Sequence, residues 1–224
     1  MFEVDKIVRL RNVGRSFGSK PIFKGVDLEV SEGEAAAILG PSGMGKTTLL
    51  RIIGTLDKPT EGEVYVCGED VLRLSRAQLA ELRWSSIGFG FQEPLLLPGM
   101  SSLDNVLLPC LPRSKEEGFR RYKEKAVSLL GEVGLGERVS YKPHQLSVGQ
   151  KKRVDLVRAI INDPKVLIVD EPTTNLDLES ATIIGDMIRR VIKDNRTVIL
   201  TTHQDQNLLS MVKVQLKIQE YQKY

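Results

Sequence analysis

Gly40-Pro41-Ser42-Gly43-Met44-Gly45-Lys46-Thr47 is the stretch that decides how the rest of the chain is read. It fits the pattern of a glycine, four residues and then Gly-Lys-Thr. A short apolar run, Glu34 to Leu39, precedes it as a buried strand would, and Thr47 to Leu56 has helical character after it. That context separates a site from a glycine-rich turn that happens to precede a lysine. Glycines let backbone N–H groups curl around an anion, and the start of a helix adds a favourable dipole. Lys46 can then reach β- and γ-phosphates, the Thr47 hydroxyl can bind Mg²⁺, and Thr48 follows beside it. The reading is a nucleoside triphosphate cradle.

A second piece answers the first. Val166-Leu167-Ile168-Val169-Asp170-Glu171 is a buried strand with two carboxylates at its C-terminal end, where ligands of open α/β sheets collect. Asp170 suits Mg²⁺, directly or through water. Glu171 suits a base for the water that attacks the γ-phosphate. Alone, adjacent acids at a strand end are often only solvated or helix-capping; with the cradle they form a credible pair.

Outward from these motifs, Ile7 to Val13, Val26 to Val30, Glu63 to Cys67, Lys165 to Val169 and Thr197 to Thr201 read as strands. Leu178 to Ile192 reads as a crossover helix, implying a parallel sheet covered on both faces. In Ser114 to Val133, Phe119, Tyr122, Ala126, Leu129 and Val133 recur every three or four residues, an amphipathic helix with a solvated charged face. With a helix expected after Ser147, roughly residues 92–163 form a mainly helical lobe.

The 224 residues suit one α/β domain with an inserted lobe. A net charge of +3 is too small to argue for nucleic acid, which shows as a clustered basic face. Cys67 and Cys110 have no metal-ligand spacing and read as inert, reduced thiols. The N-terminus lacks a signal-peptide core, and no run reaches the roughly 18 apolar residues of a membrane span, so a soluble, cytoplasmic protein able to dock on a membrane partner is expected.

With these residues in hand, the chain resembles the ATP-binding cassette ATPases of membrane transporters, from about Val8 to His203. Ile87-Gly88-Phe89-Gly90-Phe91-Gln92 is similar to the family's glutamine loop, and Leu146-Ser147-Val148-Gly149-Gln150 to its LSGGQ signature. Asn175-Leu176-Asp177 looks like the D-loop, and His203, just past the strand TVILT, like the switch histidine. Phe17 stands where an aromatic stacks on adenine; without the resemblance it reads as an ordinary core aromatic.

The resemblance implies a P-loop NTPase core with a mainly parallel sheet, an N-terminal antiparallel β subdomain (about 1–91 and 164–224 together with the core) and a helical subdomain at about 92–163. It implies ATP and Mg²⁺, with Thr47, Gln92 and Asp170 toward the metal, and Glu171, His203, Gln92 and Lys46 in the hydrolytic chemistry. Phe17, Gly40, Pro41, Ser42, Gly43, Met44, Gly45, Lys46, Thr47, Thr48, Ser147, Gly149 and Asp177 are its implied nucleotide contacts. The signature acts across an interface, on ATP held by a second cassette subunit. Phe91 to Met100 would help form the groove that receives an integral membrane permease. The run through Ser101 to Pro109 is similar to the subgroup serving lipoprotein release, macrolide export and cell division.

Two departures stand out. Val148 replaces the first signature glycine; it is strained if that backbone needs φ > 0 and nearly free of cost if it is helical. Thr174 stands where close relatives have glycine. The alternatives to a transporter subunit are a soluble cassette ATPase acting on nucleic acid or ribosomes and a nucleotide sensor. Complete Lys46, Asp170, Glu171 and His203 argue against the sensor, and Val148 keeps it open. The second cassette is either an identical chain or a related one.

Overall fold

A computed structural model of the chain describes residues 6–113, 116–203 and 205–221. Its elements run β1 (Lys6–Phe17), β2 (Lys20–Ser31), β3 (Ala35–Leu39), α1 (Lys46–Ile53), β4 (Glu61–Val66), β5 (Glu69–Asp70), α2 (Arg76–Ser86) and β6 (Ile87–Gly90). They continue with α3 (Ser102–Leu107), α4 (Glu116–Glu132), α5 (Val148–Ile160), β7 (Val166–Asp170), α6 (Leu178–Lys193), β8 (Thr197–Thr202), α7 (Gln206–Leu209) and β9 (Val214–Lys217).

Two sheets result, and the sequence pattern of their strands says why they differ. In β2, Val26, Leu28 and Val30 are buried while Asp27 and Glu29 face out, the alternation of a sheet with one wet face. It joins the antiparallel sheet β2-β1-β4-β5. In β7 and β8 every residue is buried, as strands covered on both faces must be. They belong to the second sheet, ordered β6-β7-β8-β3-β9 and parallel throughout.

Alternate residues of β3 supply the two cores. Ala36 and Ile38 face a cluster with Val8, Leu10, Phe23 and Leu50, between the parallel sheet, α1 and the antiparallel sheet. Ala35 and Ala37 face the other cluster, with Val106, Leu130, Val157 and Ile188 from α3, α4, α5 and α6. The amphipathic pattern of α6 is plain: Ile184, Met187, Ile188 and Val191 are its buried stripe.

Several expectations shift in detail. The helix after the cradle ends at Ile53, three residues earlier than its apolar run suggested, because Gly54 closes it with its N–H on Leu50 O. Ser114, the expected start of the amphipathic helix, lies outside the described residues, which take up α4 at Glu116. Beyond those expectations, Val214–Lys217 at the C-terminal end forms β9, parallel to β3, followed by a 3-10 turn at Ile218–Tyr221. Helix α2 is an addition: Ser75 caps it by accepting from Gln78 N, and the Gln78 side chain accepts from Ser75 N.

Burial pushes the Cys67 and Cys110 thiols up to about 11. Thiolate is the reactive form, so neither cysteine is expected to react with an alkylating reagent at pH 7 unless the protein is unfolded. Thiol titration in the native and denatured protein checks this. Rapid labelling of either native cysteine would contradict it.

Candidate nucleotide site

The parallel order sets the geometry. β8 lies between β3, which feeds the cradle, and β7, which ends in Asp170-Glu171. At the cradle, Gly43 and Gly45 have φ of 80° and 87°, which side-chain-bearing residues rarely adopt. A Cβ on Gly45 would also meet Ile22 Cγ2 at 2.6 Å, whereas nothing lies within 4 Å of one on Gly43, leaving open backbone there for an anion. Beside the cradle is a cavity of about 610 Å³, lined by Phe17, Lys20, Ser42, Gly43, Gly45 to Thr48, Gln92 and Glu171 among others.

The polar groups converge on one carboxylate. Glu171 Oε1 is 3.2 Å from Lys46 Nζ and 2.9 Å from His203 Nε2, and Glu171 Oε2 accepts from Gln92 Nε2 at 3.2 Å. His203 Nε2 also lies 3.2 Å from Ser42 Oγ. Lys46 donates to Gly40 O and Pro41 O at 2.8 and 3.1 Å. Lys46 and Glu171 are both buried, so each charge compensates the other where water cannot. Next to them, Thr47 Oγ1 donates to Asp170 Oδ2 at 2.6 Å, and Thr201 Oγ1 donates to Asp170 Oδ1 at 2.5 Å.

These donors fit Mg²⁺. A hydroxyl, a carboxylate and an amide are hard oxygen ligands, and this metal normally takes one or two protein carboxylates with substrate phosphates. Among the described residues there is no group of three or more His, Cys, Asp or Glu that could hold a metal by itself.

Phe17 is 60% exposed at the cavity mouth, so it is not the core aromatic that its sequence alone suggested. The Arg15 guanidinium lies 4.9 Å from its ring centre and is itself tied to Asp57. Met44 packs against the core beneath the cradle. Ser147, Gly149 and Asp177 sit away from this cavity, at the starts of α5 and α6. Ser147 caps α5 by accepting from Gln150 N, and Asp177 caps α6 by accepting from Ser180 N.

The non-glycine residues with positive φ are Asn12, Thr55, Cys67, Asp163, Glu171, Asn175 and Asn195 among those described; Val148 is not one of them. It is the first residue of α5, and 58% of its surface is exposed. The glycine the fold requires is the next one: a Cβ on Gly149 would stand 2.4 Å from Ser180 Oγ, where α5 meets α6. Glu171 carries the unusual backbone instead, at φ 44°, a conformation that costs on the order of 1–3 kcal/mol and clusters at functional sites.

The sequence alone does not single out Lys152 and Asp155, which sit in a charged, helical run. Both are buried. Lys152 Nζ donates to Glu171 O and Thr174 O, at 3.0 and 2.9 Å. Asp155 accepts from Phe91 N at 2.8 Å and pairs with Arg158. A signal was available: a lysine and an aspartate three residues apart, flanked by Val154, Leu156 and Val157, lie on what is otherwise a core-facing helix.

A phosphate cradle, a cation-competent Thr–Asp pair and a shared carboxylate at the ends of parallel strands define a nucleotide-hydrolysing P-loop protein. The family model described as "ABC transporter" matches residues 23–174. The chain is 42% identical, over 90% of its length and 91% of the relative's, to the lipoprotein-releasing system ATP-binding protein LolD of Geobacter metallireducens. It is 39% identical to the macrolide export ATP-binding/permease protein MacB of Marinobacter nauticus, over 95% of this chain but 33% of that protein. Its fold superposes on the ATP-binding cassette MJ0796, solved as a dimer in a post-hydrolysis state with ADP and Pi, at TM-score 0.84 and 35% identity over 94% of both chains. The chain belongs to the ABC transporter family, in the lipoprotein-release and macrolide-export group of its ATPases.

Val148→Gly is expected to change unfolding free energy by less than about 0.5 kcal/mol, whereas Gly149→Ala lowers it by about 1–3 kcal/mol through overpacking. Urea denaturation of the two variants distinguishes them. A larger loss for Val148→Gly than for Gly149→Ala would overturn this assignment of the two positions.

Proposed function

We infer that the chain is the ATP-hydrolysing subunit that powers a membrane transporter, working as a dimer that sandwiches ATP. The observation that carries this reading is the convergence of Lys46, His203 and Gln92 on the Glu171 carboxylate, beside the Thr47–Asp170 pair. In the roles assigned here, Gly40 to Thr48 wrap the phosphates with backbone N–H groups, Lys46 bridges the β- and γ-phosphates, and Phe17 stacks on the base. Thr47, Asp170 and Gln92 would hold Mg²⁺, which when bound would neutralise charge on the phosphate oxygens. Glu171 takes the proton of the attacking water, and His203 holds the reacting groups in line. Such chemistry is mainly positioning and electrostatic stabilisation.

Two features support the dimer. Val148 and Leu178 are apolar, 58% and 81% exposed, and stand beside Ser147 and Asp177, the residues assigned to the opposing ATP. Burying them against a second cassette removes apolar surface from water. A permease surface is supported by a groove of about 240 Å³ lined by Trp84, Phe89, Phe91, Leu95, Pro109 and Arg158, next to the loop of Gln92. Among the described residues no helix is long and apolar enough to cross a membrane. The subunit then works peripherally, on the cytoplasmic face, and residues 92–163 form the lobe that carries motion to the permease.

Glu171→Gln is expected to lower the ATP turnover rate about 100- to 10,000-fold with little change in ATP affinity, while Lys46→Ala weakens ATP binding itself. Phosphate release and fluorescent-nucleotide titration measure the two quantities. Wild-type turnover by Glu171→Gln would remove that residue from the proposed role.

A further inference from the structure

The backbone of Glu171 is held from two sides. On one, its N–H donates to Thr201 Oγ1 of β8 at 2.9 Å. On the other, its carbonyl accepts from Lys152 Nζ of α5 at 3.0 Å, and the same ammonium takes Thr174 O at 2.9 Å. A second, weaker bond closes the turn, from Thr174 N to Glu171 O at 3.3 Å. Between these two clamps lies the left-handed φ of 44°, which a glutamate does not adopt without support.

The clamp is well insulated. Lys152 is buried, and the gap between α5 and the end of β7 is closed to about 10 Å³, the lower limit for one water. Burial pulls the Lys152 ammonium below the usual lysine value, while the carboxylates of Glu171, Asp170 and Asp155 act to keep it charged. An ammonium in such surroundings forms strong, charge-assisted bonds to carbonyls.

The position of Lys152 along the chain matters as much as its contacts. It lies five residues after Ser147 on the same helix, about 7.5 Å along the axis. One turn further on, Asp155 takes the Phe91 N–H, adjacent to Gln92. One rigid helix thus starts at the signature and grips the loops that carry both Gln92 and Glu171.

We propose that Lys152 is a positioning residue for hydrolysis: it holds the Glu171 backbone in its left-handed turn and ties the aim of that carboxylate to the signature end of α5. The proposal rests on the assignment of Glu171 as the base. It makes the readiness of one subunit's Glu171 depend on how that subunit's own signature is engaged.

The test is a double-mutant cycle on the intact chain with ATP and Mg²⁺. Lys152→Met keeps the aliphatic stem and removes the donor; where it fails to fold, as judged by circular dichroism, Lys152→Leu, which also lacks a donor, takes its place. The expected result is a fall in kcat of about 10- to 100-fold, the scale of a misplaced catalytic group, with KM for ATP changed less than threefold. In the Glu171→Gln background the same substitution is expected to lower residual turnover by less than twofold, because Lys152 acts through a carboxylate no longer present. Equal losses in both backgrounds, a rise in KM with kcat preserved, or wild-type turnover by the Lys152 variant would overturn the proposal. Failure of the underlying reading looks different: the unmodified chain would not hydrolyse ATP, or Glu171→Gln would turn over like wild type.

Discussion

The hydrogen bond from Thr47 Oγ1 to Asp170 Oδ2 spans the whole logic of the molecule. One residue lies in the first turn of α1 after β3, the other ends β7, and the two strands are not neighbours in the sheet. With β8 between them they stand roughly 10 Å apart, at about 4.8 Å per strand. β8 fills that interval usefully, since Thr201 donates to Asp170 and accepts from Glu171 N. The parallel order brings the cradle and its carboxylates to the same end of the sheet, so the sheet positions the chemistry as well as supporting it.

From that bond the remaining features follow outward. Burial of Lys46 and Glu171 demands mutual compensation, which draws the ammonium and the carboxylate together at 3.2 Å. Gln92 and His203, from the ends of β6 and β8, reach the same carboxylate. The helical elements α3, α4 and α5 share one hydrophobic core with the outer face of the parallel sheet. A movement at the signature end of α5 is therefore felt in the catalytic loops by packing as well as by the Lys152 ammonium.

Much of this is legible in the sequence, for reasons tied to particular residues. The cradle and the apolar run before Asp170 combine side-chain chemistry with backbone demands that few patterns meet by accident. The start of α5 is legible because Ser147 and Gln150 form a capping pair. Helix α2 carried the same signal at Ser75 and Gln78, without a strong apolar stripe to draw attention to it. Phe17 reads by itself as a core residue, since aromatic character does not reveal that the ring ends a strand at a cavity mouth. Lys152 and the packing role of Gly149 are less accessible still: they depend on Glu171 and Ser180, which are distant in sequence and adjacent only after folding.

Val148 is where sequence and structure meet most directly, because its side chain adds apolar surface at the point where a second subunit would close, and leaves the helix start intact. The measurement that tests the whole account is the light-scattering mass of Glu171→Gln with and without ATP. A shift from the mass of one chain to that of two on adding ATP is the expected result, with the signature gripping nucleotide across the interface despite the valine. A variant that binds ATP and keeps the mass of a single chain would contradict a sandwich between two copies of this chain.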